Sequence, residues 1–192
     1  DAFAIAGDIG EGEEFARCLG LFHRLNCDRL AAPGNHDVWT RDESVDSLEL
    51  YERGLPQRAV DAGFQYLDQQ PYLPVSGGPA VVGSMNWYDY SFADPAVEEE
   101  HPDAPEMYRL KRFPNGAHND GRFVRFGLTD EAFTQRVVAA FQAQLGALPE
   151  TLEGVIAIQH HPPVRELFYP TPLTNTYQRF WLAYTGNRRM QD

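Results

Sequence analysis

Three short apolar runs, each cut off by a polar loop, constrain this fold more than anything else in the sequence. Phe3-Ala4-Ile5-Ala6 stops at Gly7-Asp8, and Arg29 to Ala32 stops at Pro33-Gly34-Asn35-His36-Asp37. Gly154-Val155-Ile156-Ala157-Ile158 runs into Gln159-His160-His161-Pro162-Pro163. Near-continuous apolar runs of this length read as buried strands, the last being the clearest of the three. Phe64 to Leu67 and Pro79 to Gly83 add two more strands. Helical patterns lie between them. Glu13 and Glu14 suit the positive end of a helix whose one face carries Phe15, Cys18, Leu19, Phe22 and Leu25. Val45 to Ala62 reads as helix in two pieces, divided near Gly54 and Pro56. Thr129 caps a third helix, striped by Phe133, Val137, Phe141 and Leu145 and ended by Gly146. The alternation predicts an α/β fold with a covered sheet. Only Ser91 to Asn119 departs from it. Four prolines and Glu98-Glu99-Glu100 predict a long, irregular surface excursion there.

Composition narrows the function classes. The 192 residues carry 28 acidic and 16 basic side chains, a formal net charge of −12. That balance disfavours nucleic acid and anionic membrane as partners, because both want a positive patch. It leaves a small phosphorylated substrate open, since a bound cation outweighs the global field locally. No apolar run is long enough to span a bilayer. Cys18 and Cys27 are the only cysteines, which fits a reducing compartment better than a disulfide framework. The expected setting is cytoplasmic.

The three polar loops share one position, just after a strand. In open α/β sheets ligands bind outside the carboxyl ends of the strands, so three such loops converge on one pole. Carboxylate, amide and imidazole groups together suit Mn, Fe, Zn or similar ions rather than a thiolate site. Taken singly, each loop has a plainer reading. An Asp after a strand caps a helix or forms a turn, an Asn-His pair after Pro-Gly is a turn, and His-His-Pro-Pro is a rigid loop. The conjunction, with complementary residue types in the same placement, favours a site.

These residues carry a resemblance. Gly7-Asp8-Ile9-Gly10-Glu11, Gly34-Asn35-His36-Asp37 and Gln159-His160-His161-Pro162-Pro163 resemble, in order, the motifs of the calcineurin-like metallophosphoesterases. The stretch Val82 to Phe92 is similar to a segment of bacterial members. The resemblance implies two facing mixed β-sheets flanked by helices, a four-layer α/β/β/α sandwich. It implies hydrolysis of a phosphomonoester or phosphodiester by a hydroxide activated between two divalent ions (Mn, Fe, Zn or similar). By the same resemblance Asp8 bridges both metals, Asn35 and His160 ligate the second, and His36 faces the substrate's leaving oxygen with Asp37 as an orienting partner. His161 stands open as an alternative ligand or a substrate contact. Trp87 is a candidate substrate contact, beside Asn86, Tyr88 and Tyr90. Trp39 could wall the pocket or simply pack, and Glu11 reads as a loop-orienting residue.

Two motifs of that family, Asp-x-His and Gly-His-x-His, are absent from this sequence. With them would go the first strand, the C-terminal strands and most ligands of the first metal. Residues 1–192 are therefore expected to be a single metallophosphoesterase domain incomplete at both termini. Alone, it is expected to bind at most one metal weakly and to turn over little. Two other readings remain: a non-catalytic scaffold of the same fold, and an unrelated nucleotide-binding α/β module. Substrate class and oligomeric state are not legible.

Overall fold

The computed structural model describes residues 1–75, 77–114, 116–167, 173 and 175–190. In chain order the elements are β1 (Ala2–Ala6), α1 (Glu13–Gly20), β2 (Asp28–Ala32), α2 (Ser47–Glu49), α3 (Leu55–Asp61), β3 (Gln65–Tyr66) and β4 (Ala80–Ser84). They continue with α4 (Pro95–Glu100), α5 (Ala104–Leu110), β5 (Arg112–Phe113), β6 (Gly116–Ala117), α6 (Asp120–Phe123), α7 (Asp130–Gly146), β7 (Val155–Gln159) and α8 (Thr176–Trp181). Two compact units divide the chain: Asp1–Met85 with Ala139–His160, and Asn86–Val138 with His161–Asp192. No helix among the described residues is long and apolar enough to cross a membrane.

The first unit holds two small parallel sheets. β1, β2 and β3 pair in that order, Ala2 opposite Asp28 and Leu30 opposite Gln65. β4 pairs with β7, Ala80 opposite Val155, and Tyr72 adds an antiparallel bridge to Val81. Leu30, Ala32, Leu67 and Val81 form one buried cluster with Tyr72 and Ile158 packed on it, so residues of both sheets share a core. Gly83 packs directly against this core. A Cβ there would stand 2.4 Å from that of Leu67 and 3.3 Å from that of Ala32. The fold is thus mixed α/β, with the parallel strands that the apolar runs predict.

Two strand expectations need correction. The run at 154–158, read as the clearest buried strand, is β7, with Val155 46% and Ile156 50% exposed. β1 alternates exposed and half-buried residues. The reason is topological: among the described residues each pairs with a neighbour on one side only. Strand periodicity reports apolar content, whereas burial depends on what the other side meets.

The helix around Gly54 also differs from expectation. α2 runs into a π-helical stretch, Leu50–Gly54, and then into α3, so the chain stays helical where a break was expected. Pro56 sits at the junction, just after the π-helical stretch gives way to α3. Asp46 caps the assembly, accepting from the amides of Leu48 (2.7 Å) and Glu49 (3.4 Å).

The second unit overturns the surface excursion expected at 91–119. Phe92, Val97, Ala104 and Tyr108 are buried there. Two of the prolines start helices rather than break them. Pro95 follows the cap Asp94, whose carboxylate accepts from the Ala96 amide at 3.1 Å, and Pro105 lies in the first turn of α5. Arg179 then ties Asp94 (2.9 Å) to Glu100 (3.1 Å). The acidic run thereby becomes one half of an ion-pair network. Thr129 caps α7 as its sequence predicts, accepting from the Ala132 amide at 3.2 Å.

Candidate functional site

The site is built where β1, β2 and β7 end. After β1 the chain takes two successive left-handed residues, Gly7 at φ 82° and Asp8 at φ 52°. Glycine accepts that conformation freely, and Asp is among the few other residues that adopt it. The double turn brings the Asp8 carboxylate against the loop that follows β2. Two glycines make room for it. A Cβ on Gly34 would lie 2.4 Å from both the amide nitrogen and Oδ1 of Asp8, and 2.9 Å from Cε1 of His160. A Cβ on Gly7 would lie 2.4 Å from Nδ1 of His160.

Three donor atoms converge there. His160 Nε2 lies 3.0 Å from Asn35 Oδ1 and 3.3 Å from Asp8 Oδ1. On the far side of the ring, His160 Nδ1 lies 3.1 Å from the Ala6 carbonyl. A carbonyl only accepts, so Nδ1 carries a proton. In the neutral imidazole Nε2 then presents a lone pair to two oxygens that are themselves acceptors. A metal ion shared between the three atoms satisfies this arrangement. Orientation of a ligand histidine by a backbone carbonyl on its other nitrogen is the usual arrangement at metal sites. Ligand atoms held about 2.1 Å from one ion stand about 3.0–3.4 Å from each other, which matches the spacing here. The donor set therefore fits a divalent cation. Among the described residues, no three His, Cys, Asp or Glu side chains form such a group; the third donor is the Asn35 amide.

The next two residues of the loop do different work. The His36 amide donates to Asp8 Oδ1 at 3.2 Å, while its ring stacks on Trp39 with centroids 3.8 Å apart. Its side chain remains 46% exposed, with Nδ1 3.9 Å from Asp8 Oδ2. Asp37 is fully buried and takes the Gly10 amide on Oδ1 (2.8 Å) and the Gly34 amide on Oδ2 (2.7 Å). Its carboxylate thus clamps the loop after β1 to the loop after β2; its oxygens face those backbone amides rather than the His36 ring. Burial pushes its carboxyl up to about 6, against the pull of the Gly10, Gly34 and Ile9 amides, and the Asp8 charge adds to the rise.

The structure brings Asp8, Asn35, His36 and His160 together, with Asp37 behind them. Of the two adjacent histidines, it is the His160 ring that meets Asp8 and Asn35. The His161 ring lies edge-on to Trp87 and Tyr88, 6.0 and 5.9 Å between centroids. Trp87 has no exposed surface. It donates Nε1–H to Asp130 at 2.8 Å and packs against Tyr88, Phe126 and Phe133 in the core of the second unit. The candidate substrate contact at Trp87 is therefore a core residue: a large ring flanked by aromatics is buried for its apolar area. Sequence reasoning missed the Ala6 carbonyl and the two glycine contacts. A backbone acceptor has no signature in residue type, and the Gly7 and Gly34 contacts are made across loops far apart in sequence.

The chain is 27% identical over 187 residues to the [acyl-carrier-protein] phosphodiesterase PptH of Mycobacterium tuberculosis, a match that covers 88% of this chain and 54% of the relative. The crystal structure of phosphopantetheinyl hydrolase PptH from the same organism superposes with a TM-score of 0.75 at 21% identity. That superposition covers 99% of this chain and 66% of the other. This chain shares its fold with that hydrolase. It spans about half the length of the curated relative, 54%. No protein-family model matches.

Proposed function

We propose that this chain is part of a metal-dependent phosphodiester hydrolase of the calcineurin-like type. The approach of His160 Nε2 to Asn35 Oδ1 (3.0 Å) and to Asp8 Oδ1 (3.3 Å), with Nδ1 of His160 already turned to a carbonyl, carries this reading. The likeness to a phosphodiesterase supports it. The substrate class to test first is a phosphopantetheinyl ester on a carrier protein, the class named for that relative.

In this reading Asp8, Asn35 and His160 hold a divalent ion. When bound, such an ion supplies Lewis-acid charge to the phosphoryl oxygens. The chain's own residues do the rest. Asn35 contributes an uncharged oxygen, so the site keeps more positive charge than a second carboxylate would leave it. Water adds to phosphorus, the bond from phosphorus to one ester oxygen breaks, and the departing oxygen takes a proton from His36. Imidazole suits that role because it gains and loses a proton near neutrality. Trp39 holds the plane of the His36 ring, and Asp37 fixes the backbone on which Asn35 and His36 ride. Residues 1–192 act in this reading as one metallophosphoesterase domain. A cytoplasmic setting is part of the same reading.

Calorimetric titration with Mn2+ tests it. Asp8→Ala, Asn35→Ala and His160→Ala are each expected to weaken Mn2+ binding at least tenfold. His36→Ala should leave Mn2+ affinity within about threefold of wild type, and should lower diester hydrolysis about 10²–10⁴-fold. Undiminished Mn2+ binding by His160→Ala would overturn the ligand assignment. Loss of metal with unchanged rate in His36→Ala would reverse the roles.

A further inference from the structure

The three proposed metal ligands come from two different sheets. Asp8 and Asn35 follow β1 and β2, which pair with each other, whereas His160 follows β7, which pairs with β4. The spacings of 3.0 and 3.3 Å that make the cluster therefore run from one sheet to the other. Ladder hydrogen bonds hold each sheet internally. Between the sheets lies apolar packing, with Leu30, Ala32 and Leu67 clustered with Val81 and Ile158. Apolar contact is non-directional. A cluster that depends on a few tenths of an ångström needs a directional tie at the same end of both sheets.

Asp68 stands where such a tie is needed. It lies two residues beyond β3 and is 6% exposed. The preceding residue, Leu67, continues the first sheet by donating its amide to the Ala31 carbonyl at 2.8 Å. The Asp68 carboxylate then reaches the end of the second sheet. Its Oδ1 accepts from the Met85 amide at 2.8 Å, the Ser84 hydroxyl donates to the same carboxylate, and Tyr51 Oη donates to Oδ2. Ser84 is the last residue of β4, and its carbonyl accepts from the His160 amide at 3.2 Å. One chain of hydrogen bonds thus runs from Tyr51 through Asp68 and the Ser84–Met85 backbone to His160. Bonds to a buried, charged acceptor are the stronger kind, and bonds to both of its oxygens hold it in one orientation.

From this we infer that Asp68 is a positioning residue of the site: it fixes the end of β4 against the first sheet and, through the Ser84 carbonyl, sets His160 against Asp8 and Asn35. It rests on the hydrolase reading only for the role of those three residues as metal ligands. The alternative is an Asp68 that does no more than satisfy buried donors. In that case its loss lowers stability, and the ligand cluster of the folded chain is unaltered. A positioning Asp68 makes the geometry of His160 depend on it in the folded state.

Two measurements on the full chain test this: calorimetric titration with Mn2+, and the imidazole 15N spectrum of His160 in the metal-free protein. In wild type the Ala6 carbonyl holds the proton on Nδ1 of His160. Asp68→Leu keeps the branched shape and removes every acceptor. It should weaken Mn2+ binding about tenfold, the low end of what residues behind a metal ligand contribute. It should also move His160 toward the mixed tautomers of an unconstrained imidazole. Asp68→Asn should stay within about threefold of wild type and keep the Nδ1–H tautomer, because its Oδ1 still accepts from the Met85 amide and its Nδ2 donates to Tyr51 Oη. Leu19→Ala controls for lost stability alone. It empties a buried position on α1, removes none of these hydrogen bonds, and should leave both readouts at their wild-type values. If Asp68→Leu does not fold, Tyr51→Phe decides in its place: with one donor lost it should weaken Mn2+ about threefold and shift the His160 spectrum in the same sense. An unchanged His160 spectrum in the deciding variant overturns the inference, as does unchanged Mn2+ affinity where wild type binds the ion, or a Leu19→Ala that reproduces the losses. If wild type binds no Mn2+, the hydrolase reading fails by itself, and the metal-free spectrum of His160 still decides the role of Asp68.

Discussion

Gly34→Ala is the sharpest probe of the ligand cluster, because it adds one methyl group and removes no donor. The added carbon would lie 2.4 Å from Asp8 N and Asp8 Oδ1, where ordinary contact begins at 3.4 Å, so something must move by about 1 Å. Two of the obstructing atoms are backbone or short side chain, and neither can swing away as the tip of a long side chain could. Overpacking of this kind costs about 1–3 kcal/mol. In a domain of this size each kcal/mol lowers Tm by about 2–4 °C, so Tm should fall by about 2–12 °C. The functional consequence is larger. A displacement of about 1 Å in Asp8 opens the spacing of 3.0–3.3 Å on which the three-donor cluster depends. Wild type at 100 times its Kd for Mn2+ should gain about 2.7 kcal/mol of stability, seen as a rise in Tm, and Gly34→Ala should show little of that rise. Circular dichroism melts with and without Mn2+ read both effects. Gly20→Ala is the control. A Cβ there meets nothing within 4 Å, so its effect should be neutral or slightly stabilising. If Gly34→Ala melts like wild type and gains the same stability from Mn2+, the close approach of Asp8, Gly34 and His160 does not organise the site.

Two further outcomes follow from buried charges. In the second unit Asp130 accepts from Trp87 Nε1, Tyr90 Oη and Lys111 Nζ, and Lys111 is only 9% exposed. Asp130→Ala strands the ammonium, so urea unfolding followed by tryptophan fluorescence should show a loss of about 3–5 kcal/mol; a loss below 1 kcal/mol would mean that Lys111 reaches water easily. In the first unit Asp68 is pushed up to about 6 by burial, against the pull of hydrogen bonds from Tyr51 Oη and, at 2.8 Å, from the Met85 amide. Between about pH 4 and 6 the folded chain keeps a proton that the unfolded chain has released, so this group's contribution to stability is present at low pH and is lost as pH rises through 6. Asp68→Asn should remove that slope and gain about 2–3 kcal/mol on wild type between pH 4 and 8; a difference that stays constant over that range would refute the assignment.

Much of the site was legible because its chemistry is carried by residue types in fixed local patterns. The Gly-Asp, Gly-Asn-His-Asp and His-His-Pro-Pro loops could be placed at strand ends from apolar runs alone, and the structure puts Asp8, Asn35 and His160 in one cluster. The helices at 13–20 and 130–146 announced themselves by acidic first turns and apolar stripes, although Phe22 and Leu25 of the first stripe lie beyond its helix and Leu25 and Leu145 are exposed. Reading failed where local signals had two meanings. Prolines 95 and 105 read as breakers, yet a proline opening a helix has the same letter and the opposite effect. Trp87 read as a ligand contact because aromatics serve both pockets and cores, and only its packing against Phe126 and Phe133 decides between them.

Residue order alone thus determined the elements, the loops that carry donors and the kinds of ion those donors suit, since each is a short-range property of a few neighbouring side chains. Three-dimensional packing decided the rest. It turned one histidine of a pair toward Asp8 and Asn35, oriented that ring through the Ala6 carbonyl and, among the described residues, left β1 and β7 on sheet edges. All of these depend on contacts between residues far apart in the chain. No local pattern encodes them, because the free energy of such contacts exists only once the chain has closed on itself.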